Sequence, residues 1–194
     1  MLFRSPVYTH GHHESVLRAH RWRTAANSAA YLLPHLAPGM SLLDVGCGPG
    51  TITMDFARIL APALVVGVDT SEEITIQARE EAEQTGADAR FGVASAYRLP
   101  FPDGYFDVVH AHQLLQHLDD PVRALREMAR VAGPGGLVAA RDADFAGMIW
   151  HPRLPELDDW LELYQRVARS NGGEPDAGRR ILAWAHAAGF EPAG

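Results

Sequence analysis

The chain is short of several features that would commit it to a particular setting. It has one cysteine, Cys47, so no disulfide forms within it, and the disulfide-stapled class of small secreted domains is excluded. No run approaches the roughly 20 apolar residues of a membrane-spanning helix. The opening MLFRSPVYTHGHHES also lacks the apolar stretch of a signal peptide. A lone thiol and the missing export signal fit a reducing, cytoplasmic compartment. There is no basic excess either. The formal net charge is −7, which argues against a nucleic-acid backbone as the main partner, although Arg18, Arg21 and Arg23 fall close together. His10, His12 and His13 cluster, but no carboxylate or further histidine stands at convincing ligand spacing, so no metal is expected. That segment reads as an irregular lid. Internal repeats and low-complexity linkers are missing.

What is present is one domain's worth of alternating elements. A length of 194 residues with 47% hydrophobic content supports a single core. The organising stretch is Ser41–Gly50, SLLDVGCGPG: a short buried strand that breaks into a glycine-rich turn. Helical spacing is expected over Ser15–Leu36, Thr51–Leu60, Pro155–Arg169 and Asp176–Ala188. Strands are expected at Leu64–Val68, Arg90–Val93, Phe106–His110 and Leu137–Ala140, with Gly189-Phe190 leading into another. Thr70 with Glu73 reads as a capping box, and Asp120-Pro121 as a helix start. Strands alternating with helices predict an α/β fold with a parallel sheet covered on both faces. Ligands of such sheets bind beyond the carboxyl ends of the strands. The turn Gly46–Gly50, Asp69, Ser95 and the segment His110–His112 are all strand-end positions and are expected to converge there.

The turn's pattern is G-x-G-x-G. A dinucleotide site would place its third glycine at Thr51. Asp44, immediately before the turn, would repel a pyrophosphate but help to hold a cationic amino group. Asp69, roughly 20 residues on, can accept hydrogen bonds from both hydroxyls of a ribose. Cys47 reads as a small packing residue. These features favour a charged, phosphate-free adenosine ligand such as S-adenosylmethionine. Arg23 is a candidate for the ligand's carboxylate.

The blocks D-V-G-C-G-P-G, V-G-V-D-T-S, L-P-F-P-D-G-Y-F-D-V-V, L-L-Q-H-L and G-P-G-G occur in this order between about Ser41 and Asp144. Together they resemble the class I S-adenosylmethionine-dependent methyltransferases, within them the group similar to the ubiquinone and menaquinone biosynthesis enzymes (methyltransferase type 11 domain). The resemblance implies a three-layer αβα Rossmann-like fold with strand order 3-2-1-4-5-7-6. It implies that Asp44, Gly46, Cys47, Gly48 and Gly50 cradle the methionine part and that Asp69 binds the ribose. It further implies that Thr70, Ser95 and Ala96 border the adenine, and that the backbone of Ala111 and His112 flanks the amino-acid end. Two departures stand out. Ser95 occupies a place where the family often has an acid. The chain also stops at Glu191–Gly194, where a sixth strand would begin, so truncation of the last strands is expected. The expected division is a helical lid over 1–40, a cofactor-binding core over 41–145 and a helical substrate cover over 146–194.

The expected activity is methyl transfer to a small-molecule acceptor. A base is required only if that acceptor arrives protonated, and His112, His117 and Asp144 are the candidates. Alternatives are a cofactor-binding protein without catalysis, a nicotinamide-dependent oxidoreductase, and an RNA or protein methyltransferase. The last is disfavoured by the acidic balance and by His110-Ala111-His112-Gln113, where an N-P-P-Y-type motif would stand.

Overall fold

A computed structural model describes residues 22–191. Five strands, β1 (Leu42–Val45), β2 (Val65–Asp69), β3 (Ala89–Val93), β4 (Val108–His112) and β5 (Leu137–Arg141), form one parallel sheet in the order 3-2-1-4-5. Every residue of β1 and β4 is buried, as expected where helices cover both faces. Within those runs the exceptions to apolar character are Asp44, His110 and His112. Asp44 and His110 lie opposite each other in the β1–β4 register.

Alternation along the strands divides the core into two layers. On one face Leu43, Val45, Val66, Val68, Val109 and Ala111 pack with Leu125 and Met128 of helix α4 (Pro121–Ala132). On the other face Leu42, Val65 and Val108 pack with Phe56 and Leu60 of α2 (Thr51–Leu60), and with Ala25 of α1 (Ala25–Ser28). Ala78 and Ala82 of α3 (Glu72–Thr85) close over Phe91 of β3. The last helices are α5 (Pro155–Ser170) and α6 (Ile181–Ala188); Ile181, Trp184 and Ala188 of α6 pack on the first layer. The expected starts of α2 and α4 are found, the latter with the Asp120 carboxylate accepting from the Arg123 N–H and Pro121 in the first turn.

The differences from expectation have local causes. The fourth strand begins two residues late, at Val108. Before it, the Phe106 N–H donates to the Val131 carbonyl, and the Asp107 carboxylate accepts from the Ser41 N–H and hydroxyl. The shift carries Ala111 and His112 into the strand. The cap of α3 is Ser71 rather than Thr70, its hydroxyl accepting from the Ile74 N–H at 3.3 Å. Of the helix expected over Ser15–Leu36, residues up to Arg21 lie outside the described ones. The remainder holds α1, capped reciprocally by Thr24 and Asn27, and one 3-10 turn at Leu33–His35 around Pro34. The expected helix Asp176–Ala188 starts as a 3-10 turn, Ala177–Arg180. The Gly178 N–H donates to the Ala143 carbonyl there, and a Cβ at Gly178 would meet the Asp142 carbonyl at 2.9 Å. Phe190 and Glu191 are not in a strand. The His10, His12 and His13 cluster lies outside the described residues. Among the described residues, no helix is long and apolar enough to cross a membrane and no group of three metal-ligating side chains occurs.

Gly50 caps α2 at φ 78°. A Cβ there would sit 2.6 Å from the Phe91 ring. Both the left-handed backbone and the missing space require glycine. Gly50→Ala is expected to lower stability by about 2 kcal/mol, read from urea denaturation midpoints; an unchanged midpoint would contradict this packing.

Candidate cofactor site

A cleft of about 520 Å³ opens at the carboxyl ends of β1, β2 and β4. It lies where the strand order reverses, between β1 and β4, the usual ligand position in a doubly wound sheet. Arg23, Asp44, Gly46, Cys47, Gly48, Asp69, Thr70, Ser95, Ala96, His112 and His117 all line it. Residues separated by more than 90 positions in the chain are thus brought together, as the strand-end pattern predicts.

The three glycines have separate tasks. At Gly46 a Cβ would meet the Leu114 side chain at 2.9 Å, and at Gly50 the Phe91 ring. Gly50 itself does not line the cleft; its role is packing and the helix start. At Gly48, φ is 53° and nothing lies within 4 Å of the Cβ position. That vacant space in front of the turn is where a ligand can approach the backbone. Cys47 packs below, its Sγ 3.6 Å from the Gly48 carbonyl. Burial, then the nearby Asp44 and Asp69 carboxylates, hold its thiol well above the ordinary value, so it is no nucleophile.

Asp44 is buried at 3% exposure. One carboxylate oxygen lies 2.8 Å from His110 Nδ1, and the other accepts from the Thr53 hydroxyl at 2.5 Å. The histidine proton therefore sits on Nδ1, directed at the carboxylate. Both oxygens retain acceptor capacity toward the cleft. Asp69 is tied in a similar way: one oxygen accepts from the Gly48 N–H at 3.1 Å and the other from the Ser71 N–H at 3.0 Å. It couples the glycine turn to the start of α3 and presents its remaining lone pairs to the cleft.

At the far end the Ser95 hydroxyl accepts from the Tyr97 N–H at 3.3 Å, so part of its acceptor capacity is spent on the turn. The Tyr97 hydroxyl bonds the Asp119 carboxylate; burial and that carboxylate push the phenol up. Ala111 does not line the cleft. It is fully buried in the first core layer.

The candidate bases are placed unequally. His117 lines the cleft, its Nε2 3.2 Å from the Gln116 side-chain Nε2. An amide nitrogen only donates, so the imidazole accepts there and its proton is on Nδ1. His112 lines the cleft with Nδ1 buried and without a hydrogen-bond partner. Burial, then the positive charge of Arg23, press its pKa down to about 3. Asp144 is not at the cleft: it accepts from Arg179 Nε at 2.8 Å. Asp142, two residues before it, accepts from the Leu115 and Gln116 N–H groups. Among the described residues, none of α5 or α6 lines the cleft.

Sequence reasoning missed Thr53, His110 and Gln113. A polar pair of residues facing each other across two buried strands was the available signal for His110. Gln113 lines the cleft, and its Oε1 accepts from Arg23 Nη2 at 2.5 Å; nothing in its sequence context marks that.

Two buried groups give stability an opposed pH dependence. His112 is held neutral in the fold. Burial pushes Asp142 up to about 7, against the pull of the Gln116 and Leu115 N–H groups. Between pH 3.8 and 6.5, the ordinary values of the two groups, the unfolded chain gains a proton on the histidine, whereas the folded chain retains one on the aspartate. The first makes stability rise with pH and the second makes it fall; above 6.5 only the aspartate effect continues, ending past about 7. Compared with the parent chain, His112→Gln is expected to turn the profile toward falling stability in this window, and Asp142→Asn toward rising stability. Urea midpoints measured against pH check this, and parallel profiles for all three proteins would contradict it.

The methyltransferase domain family model matches residues 43–140, half of the chain. An uncharacterized methyltransferase of Schizosaccharomyces pombe is 37% identical over 185 residues, covering 92% of this chain and 66% of the relative. The 27-O-demethylrifamycin SV methyltransferase of Amycolatopsis mediterranei is 39% identical over 115 residues, covering 58% of this chain and 42% of that one. The chain thus spans two thirds or less of these relatives. Phosphoethanolamine N-methyltransferase 2 of Haemonchus contortus, solved with S-adenosyl-L-methionine, shares the fold with TM-score 0.64 and 22% identity, over 80% of this chain and 34% of that one. With half of the chain matched by the family model, the chain belongs to the methyltransferase domain family of S-adenosylmethionine-dependent enzymes.

Proposed function

We propose that this chain transfers a methyl group from S-adenosylmethionine to an uncharged small molecule. The observation that carries this reading is the charge layout of the cleft. A buried carboxylate, Asp44, lies immediately before the glycine turn, and the cation Arg23 lines the same cleft. An ammonium–carboxylate pair on the ligand complements that layout; a pyrophosphate does not. Thr51, the first residue of α2, stands where a dinucleotide site would have its third glycine, which further disfavours a nicotinamide cofactor.

Asp69 accepts from the ribose hydroxyls, oriented by the two backbone N–H groups it already holds. Thr70, Ser95 and Ala96 border the base. When bound, the cofactor supplies an electrophilic methyl group on a sulfonium. The chain's own task is to line up the acceptor and exclude water. His117 lines the same cleft and supplies an imidazole face to the acceptor side. His112 stays neutral across the physiological range and adds no charge beside the reacting centre. The lining of Leu114 and Leu118 suits an apolar acceptor body, and the Amycolatopsis relative is named for a small-molecule acceptor.

Calorimetry on one sample with S-adenosylmethionine, S-adenosylhomocysteine and NAD tests the reading. Binding of the two adenosylated amino acids without NAD is expected, and the reverse would overturn it. Asp69→Ala is expected to weaken S-adenosylhomocysteine binding about tenfold to a hundredfold, the effect of losing hydrogen bonds to a charged acceptor. Unchanged affinity would remove Asp69 from the site.

A further inference from the structure

We propose that Gln113 is a positioning residue that holds the Arg23 guanidinium in the cleft and thereby sets selectivity for a ligand carboxylate; this rests on the cofactor reading above. Three observations meet at Gln113. Its φ is 53°, the one positive φ among the described non-glycine residues. Unbranched glutamine has no preference for this left-handed region, where glycine and asparagine are the usual occupants. Its N–H donates to the Arg141 carbonyl at 2.7 Å, extending the β4–β5 ladder by one residue before the chain turns away. Its side-chain oxygen then accepts from Arg23 at 2.5 Å.

The strained backbone thus has a use, since it frees the side chain from the sheet and aims it into the cleft. The location follows from register. Val45 pairs with Ala111 at the end of the β1–β4 register, and just beyond it Cys47 and Gln113 line the same cleft. Leu114 is the side chain that excludes a Cβ from Gly46. Arg23, which contributes to the depressed pKa of neighbouring His112, is therefore held beside the turn that cradles the ligand's amino-acid end. Among the described residues lining the cleft it is the one cation. The main chain that follows it is fixed independently. The Ala25 N–H donates to Asp55 at 3.0 Å, and the Arg141 guanidinium reaches the Asn27 and Ser28 carbonyls at 3.3 and 3.0 Å. With the main chain anchored, Gln113 orients the flexible end of the side chain. An amide oxygen suits this task because it orients the guanidinium without neutralising it. A carboxylate there would cancel the charge the ligand needs.

The test uses the whole chain and two ligands that differ only in the carboxylate: S-adenosylmethionine and decarboxylated S-adenosylmethionine. The parent chain is expected to prefer the carboxylated form by roughly ten- to a hundredfold. Gln113→Leu, Gln113→Gly and Arg23→Ala are each expected to reduce that preference about tenfold while leaving affinity for the decarboxylated form within about twofold. Gln113→Gly matters because it relieves the backbone while removing the side chain. Retention of the preference by both Gln113 variants, or equal weakening toward both ligands, overturns the inference. A parent chain that binds both ligands equally overturns it as well while leaving the cofactor reading intact. One that binds neither ligand overturns both. Melting midpoints of each variant confirm that folded protein is compared.

Discussion

The structure turns on the contact between Asp44 and His110. The two side chains sit on the central strands, at 3% and 0% exposure, paired by register and by a 2.8 Å hydrogen bond. Thr53 brings α2 into the same contact, so one carboxylate ties together both central strands and the helix that follows the glycine turn. A buried polar group is tolerated only when its partners are in place, and removing one partner of such a pair typically costs about 3–5 kcal/mol. The arrangement therefore fixes the geometry of the cleft floor as much as its charge. The edge-on contact of Phe56 with the His110 ring, at 5.0 Å between centroids, packs the other side of the same histidine.

Around that floor, main-chain groups hold several residues at the strand ends. Asp69 is fixed by two N–H groups, Ser95 by one, and Gln113 by the β5 carbonyl it caps. Each strand end contributes one side chain whose direction is set before any ligand arrives. A site preorganised in this way spends little of a ligand's binding free energy on ordering.

Much of this was legible in the chain itself. The strand–turn–helix at Ser41–Leu60, the parallel order and the start of α4 follow from apolar runs, glycines and the Asp-Pro pair. The carboxylates Asp44 and Asp69 stand out because acids at the ends of buried strands need a reason. What was not legible depends on contacts between distant segments. The late start of β4 comes from Asp107 gripping Ser41 and from Phe106 reaching Val131. Asp142 and Asp144 have the same local pattern, a carboxylate just past a strand, yet they are turned to capping N–H groups and to Arg179. Gln113 adopts a backbone conformation its residue type does not favour, and only its partner 90 positions away explains it.

The vacancy beside Gly48 separates two histories that a glycine pattern alone confounds. Gly46 and Gly50 answer to neighbouring side chains, Leu114 and Phe91, and replacing them costs stability. Gly48 is also left-handed, at φ 53°, and its N–H is tied to Asp69, but a side chain there would enter the cleft it lines rather than meet the protein. Asparagine tolerates a left-handed backbone, so at Gly48 it fits by entering the cleft, whereas at Gly50 it meets the Phe91 ring. Asparagine at Gly48 in a related sequence is thus a marker for a domain that keeps the architecture with a narrowed cleft.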